Sequence, residues 1–185
     1  MLQQLADLVK ENAGSIINSN TDIPADKKEE AFQVAGASLA DGIQSVLSQG
    51  GVTDLMKLFS GKADVSNNPI AQTASQSFTD RLSSQLGIST SQAGGLAASI
   101  IPMILGKLVN RTNDPNDKSF DLQDMLNQFS GGKTAGLDVG GLLNKFKSGL
   151  DKDGDGDVDL NDLTSMFSGG GSGGGLGDAL KGLFK

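Results

Sequence analysis

Six aspartates stand within twelve residues, Asp151, Asp153, Asp155, Asp157, Asp159 and Asp162, with Lys152 the one basic residue among them. This segment holds a net −5 of the chain's −7, so the acidity is one local site and the remainder is nearly neutral. Carboxylates crowded in this way repel one another unless a cation sits among them. Hard cations such as calcium take about six to eight oxygens, and an EF-hand loop delivers them from positions 1, 3, 5, 7, 9 and 12, with glycine at 6 for the sharp turn. Asp151, Asp153 and Asp155 fall at 1, 3 and 5, and Gly156 falls at 6. Asp157 at 7 would donate its backbone carbonyl, Asp159 at 9 would bind directly or through water, and Asp162 is at 12. Val158 at 8 is the apolar residue expected to anchor the loop to the core or to a partner loop. Position 12 usually carries Glu, whose longer arm binds in a bidentate manner. Asp162 would therefore weaken calcium binding or admit magnesium as the alternative ion.

Other chemistries lack their side chains. The chain has no His, Cys, Tyr or Trp. That removes the commonest general base, the best nucleophile and the usual zinc and iron ligands, leaving carboxylates, Lys and Ser. An enzyme is not expected, although a Ser/Lys or carboxylate arrangement in a pocket would revive that reading. No Lys/Arg cluster gives the electrostatic footprint of a nucleic-acid partner. Without cysteine, redox chemistry does not report the compartment.

The elements that must position the loop read as helices throughout. Aromatics are only 4% of the residues, so burial rests on Leu, Ile, Val, Met and Ala, a mix that favours helices packed on helices. Leu2, Leu5, Leu8, Val9, Ile16 and Ile17 form one face of a helix to about Asn18. A turn and Pro24, in a first-turn position, lead into a long helix through Phe32, Leu39, Ile43 and Leu47 to Gly50 and Gly51. Thr53 is expected to cap a short third helix through Phe59. Asn67, Asn68 and Pro69 open a fourth, with Ile70, Ala74, Phe78, Leu82 and Leu86 as its stripe. Ser89 and Gln92 match a capping box for a fifth helix to about Asn110, in which Gly94, Gly95 and Gly106 suggest close packing and Pro102 a bend. A sixth helix spans Asp121 to Phe129. A seventh, from Asp138 to Leu150, leads directly into the acidic loop, and Leu160 to Phe167 follows it. The prediction is an all-α bundle of about eight helices with one C-terminal helix-loop-helix.

Beyond Phe167, residues 169–175 have the composition of a Gly/Ser linker. Leu176, Leu180, Leu183 and Phe184 give 176–185 a small amphipathic character, suited to docking on a protein partner and equally to a passive end. Self-association through the acidic loop or this tail is the other partner reading. A phrase recurs at Asp54 to Gly61, Asp124 to Gly131 and Asp162 to Gly169, each with Asp at the start and Phe-Ser-Gly at the end. It reads as shared helix capping, since no fixed period is evident. The apolar stretch Leu96 to Val109 falls short of the roughly 20 residues that cross a bilayer, so it reads as a core helix and no transmembrane segment is expected. No basic n-region with an apolar run opens the chain. Cytoplasmic location is the default, and non-classical export stays open.

Two resemblances add to this reading. Asp at position 12 resembles the calcium loops of dockerin modules and other bacterial EF-hand-like proteins, although a dockerin's duplicated second loop has no counterpart here. The first 132 residues resemble the YidB-like bacterial family of unknown function numbered 937. That likeness lies in Leu5-Ala-Asp-Leu-Val-Lys-Glu-Asn-Ala13, the Asp22-Ile-Pro24 turn, Leu58-Phe-Ser-Gly61 and Ala97-Ala-Ser-Ile-Ile-Pro-Met-Ile-Leu105. The family implies an all-α fold and no catalytic residues. Four segments follow: a helical body over 1–132, a calcium motif over 138–168, a linker over 169–175 and the C-terminal segment 176–185. The function expected is calcium binding in a non-enzymatic bacterial protein with a structural or assembly role, with a conformational sensor or buffer as the alternative.

Overall fold

The computed structural model describes residues 1–132, 134 and 138–147. Among these the regular structure is helical: α1 (Leu2–Ser19), α2 (Lys28–Ser48), α3 (Val52–Phe59), α4 (Pro69–Leu86), α5 (Thr90–Asn113), α6 (Leu122–Phe129) and α7 (Val139–Lys147). The expected helix over 160–167, the linker and the tail lie outside the described residues.

The ends of these helices follow from local chemistry. Asn20 Oδ1 accepts the amides of Asp22 and Ile23 at 2.9 and 3.0 Å, which turns the chain after α1. Pro24 is not in the first turn of α2. It precedes a short 3-10 turn, Ala25–Lys27, and α2 begins beyond it. Asn68 caps α4 by accepting the Ala71 amide at 3.0 Å with Pro69 at the first helical position, and Gly87 ends it at φ 74°. The Ser89 box forms differently from the usual pattern. Ser89 Oγ accepts the Gln92 amide, but the Gln92 side chain takes the Ser89 hydroxyl at 2.5 Å and donates onward to Asp22 at 2.7 Å. Thr53 does not cap α3, because Gly51 occupies that place and Thr53 lies inside the helix.

The recurring Asp…Phe-Ser-Gly phrase is realised twice as one geometry. Gly61 and Gly131 take φ of 76° and 65°, a region that only glycine enters without strain. The amides of Lys62 and Gly132 reach back to the carbonyls of Lys57 and Asn127 at 3.0 and 2.7 Å, closing the same Schellman cap.

Helix α2 is the hub, packed between α1 and α4, and α4 in turn packs on α5. Buried α2 positions run round more than one face, from Ala31 and Phe32 through Ala35, Leu39 and Ile43 to Leu47. Two glycines set its spacing. A Cβ on Gly36 would lie 2.7 Å from the Ala6 amide nitrogen, and one on Gly42 would lie 2.7 Å from the Ile70 carbonyl oxygen. The glycines of α5 have no such role: nothing lies within 4 Å of a Cβ at Gly94 or Gly95, and Gly106 meets only Val65 at 3.9 Å. On α1, Leu2 is 56% exposed, and Ala6 and Ala13 complete the buried stripe instead.

Helix α5 has 24 residues and continues through Pro102, so it is longer than its apolar run. By length and composition it could cross a bilayer, a test that core helices also pass. Its buried residues, Leu96, Ala97, Ile100, Ile101, Ile104, Leu105, Leu108 and Val109, recur at alternating steps of three and one and form a single stripe in the core. Such side chains stabilise the fold by about 1.5 to 3 kcal/mol each when fully buried.

Gly36→Ala is expected to destabilise the protein by about 1 to 3 kcal/mol through overpacking against α1. Gly95→Ala, in open space on a helix, should stabilise it by about 0.5 to 1 kcal/mol. Urea unfolding of both variants measures the contrast, and equal shifts would contradict the packing.

Candidate metal centre

The six expected ligands, Asp151, Asp153, Asp155, Asp157, Asp159 and Asp162, lie outside the described residues. The helix that leads to them is described as far as Lys147, and its start is firmly seated. Val139 and Leu143 are buried in the common core, where α7 meets α3 and α6. Asp138 caps it by accepting the Gly141 amide at 2.8 Å. Gln123 of α6 ties the two helices together, its carbonyl accepting the Val139 amide at 3.0 Å and its amide reaching the Thr134 carbonyl at 3.5 Å. The buried Thr134 donates to Asn127 at 2.9 Å and shares a hydroxyl contact with Ser130 at 3.1 Å.

A second loop, between α5 and α6, is rich in carboxylates and fully described. Asp114 and Asp117 each accept the amide two residues on, from Asn116 at 2.9 Å and Ser119 at 2.8 Å. Asp121 caps α6 by accepting the Asp124 amide at 3.0 Å. Arg111 places its guanidinium 2.5 Å from Glu11 on α1 and 3.8 Å from Asp117. The Ser119 hydroxyl and amide, then Arg111, hold the Asp117 carboxyl below its ordinary value. The Asn113 side chain donates to the Phe59 and Val109 carbonyls at 2.7 and 2.8 Å. No three carboxylates come together in a metal-holding group among the described residues.

Two further constellations bear on catalysis. Asp41 on α2 accepts the Ser77 hydroxyl and the Arg81 guanidinium, both at 2.7 Å, and Arg81 Nε also reaches Ser77 Oγ at 3.3 Å. Arg81 and the Ser77 hydroxyl thus share one carboxylate oxygen of Asp41. The triad is an α2–α4 fastener, half exposed and worth about 1 kcal/mol or less. A shallow groove of about 460 Å³ lies between α4 and α5, lined by Gln72, Ser75, Gln76, Thr79, Ala98 and Pro102 among others. It carries no titratable side chain. The Arg111 and Asp41 links escaped the sequence reading because their partners lie 100 and 40 residues away.

Comparison of the chain with protein families, curated proteins and solved structures gives no match.

Because its folded-state pKa is lowered, Asp117 contributes stability above the ordinary carboxylate value of 3.8, and that contribution is lost as pH falls through the lower folded value. Asp117→Asn should therefore melt below the wild type at neutral pH, with the gap closing only under pH 3.8. Paired thermal melts across that range check the sign.

Proposed function

We propose that this chain is a non-enzymatic helical protein that binds one calcium ion in the loop Asp151 to Asp162, where the ion serves as a structural clip. The observation that carries the reading is the position-by-position fit of six aspartates and Gly156 to an oxygen-ligand loop. Six carboxylates with one lysine make a segment that a divalent cation would relieve of its own repulsion.

The seat of α7 supports the clip over the sensor. Val139 and Leu143 already have partners on α3 and α6, so the start of the helix that leads to the loop is seated on the helical body. A sensor exposes an apolar face when the ion binds.

Calorimetric titration of calcium into chelator-stripped protein should give one site per chain, abolished by Asp151→Ala and by Asp155→Ala. Calcium at about a hundred times its Kd should then add about 2.7 kcal/mol of stability with no change in hydrodynamic radius. No heat and no stabilisation would overturn the reading, and a large change in radius would favour the sensor. Asp162→Glu should tighten calcium and weaken magnesium, by restoring the longer bidentate arm.

A further inference from the structure

We propose that residues 113–147 and 151–185 are two copies of one unit, and that the loop 113–124 is the metal-free partner of the acidic loop 151–162. The inference rests on the calcium reading only for which of the two loops holds the ion.

The recurring phrase has no single period over its three copies, but its last two stand 38 residues apart, and at that offset the second loop that the sequence reading found missing has a degenerate counterpart at 113–124. Laid over 151–174 at that offset, nine of the twenty-four residues of 113–136 are identical, among them Asp117 with Asp155, Asp121 with Asp159 and Asp124 with Asp162. The identities continue through Leu122 with Leu160 and the run Phe129 to Gly132 with Phe167 to Gly170. The loop between α5 and α6 thus occupies the register of the acidic loop, with Asn113 at position 1 and Phe120 at the apolar position 8.

The described copy shows why these residue types recur. Gly131 and Gly132 adopt φ of 65° and 84°, so their backbone requires glycine, and glycine stands at 169 and 170. The turn after α6 is held by Gln123, Ser130 and Thr134, and an amide and two hydroxyls recur as Asn161, Ser168 and Ser172. With one residue fewer in that turn, the α7 positions Val139, Leu143 and Phe146 fall on Leu176, Leu180 and Leu183. In this proposal residues 160–167, where a helix is expected, are the equivalent of α6, and 176–183 are the equivalent of α7 rather than a tail loosely tethered by 169–175.

The geometry of the first loop explains how it stands without an ion. Pro115 replaces a ligand at position 3, Lys118 replaces the glycine at 6, and Asn113 at position 1 is engaged with Phe59 and Val109. Arg111 brings a fixed cation within 3.8 Å of Asp117, the carboxylate at position 5. Hydrogen bonds from Ser119, with Arg111 as the lesser contribution, hold this carboxylate in its charged form without a divalent ion. Asp121 at position 9 caps the exiting helix.

Phe120 places the meeting surface of the two loops in this proposal: the residue is 3% exposed at the apolar position 8 of its loop, and Val158 is the apolar residue at position 8 of the other. An antiparallel backbone pair between the two positions would relate the copies by a local two-fold.

The test uses the full chain, labelled for NMR and titrated with calcium, beside the calorimetric stoichiometry. Expected are one ion per chain, helical carbon shifts over 160–167 and 176–183, and a backbone contact between Phe120 and Val158. Coil shifts over 176–183 with the ion bound would overturn the repeat while leaving the calcium reading intact. Two ions per chain would overturn the metal-free assignment of 113–124. Helical shifts and the Phe120–Val158 contact without any calcium heat would uphold the repeat and sink the calcium reading instead.

Discussion

The close approach of α2 to its two neighbours is the constraint on which the rest depends. At Gly36 the backbone of α1 lies where a side chain would begin, and at Gly42 the backbone of α4 does the same on another side. Glycine in a helix costs about 1 kcal/mol against alanine. That penalty is offset by the contacts it permits, because α1 and α4 close far enough to bury Leu5, Leu8, Ile70 and Phe78 completely. Helix α5 then packs against α4, and its regular stripe completes a core made almost wholly of aliphatic side chains.

The remaining helices occupy the space this arrangement leaves. Helices α3 and α6 are short, share one cap, and each meets both α2 and α7. Arg111, at the end of α5, binds Glu11 on α1 and faces Asp117 in the following loop, so the first helix and the approach to α6 are joined through one side chain. The chain enters the acidic region from a scaffold whose geometry is set by packing and by directed hydrogen bonds. A calcium ion placed there would tie the last segments to a body that is already folded.

Much of the fold was legible in the residues. The stripe of α4, its opening at Asn68 and Pro69 and the Ser89 cap of α5 each depend on neighbours within four positions, and the structure has all of them. The failures share a cause. Thr53 has the chemistry of a cap, but the turn at Gly50 and Gly51 already starts the helix. Gly94 and Gly95 have the composition of a tight interface but face open space, whereas Gly36 and Gly42, inconspicuous in an alanine-rich helix, lie at the closest contacts. Composition reports which residues could approach a neighbour, and only the crossing of two helices decides which of them do.

The pattern of oxygen donors proposed as a calcium loop is a property of the sequence, because a carboxylate at every second position of a short loop needs no distant residue to define it. The helical class is likewise local, following from apolar spacing and cap chemistry. What only the tertiary structure decided is which faces are paired: the seat of α7 on α3 and α6, the Arg111 link, and the burial of Phe120. These depend on contacts between residues far apart in the chain, whose energies arise only once the helices have come together.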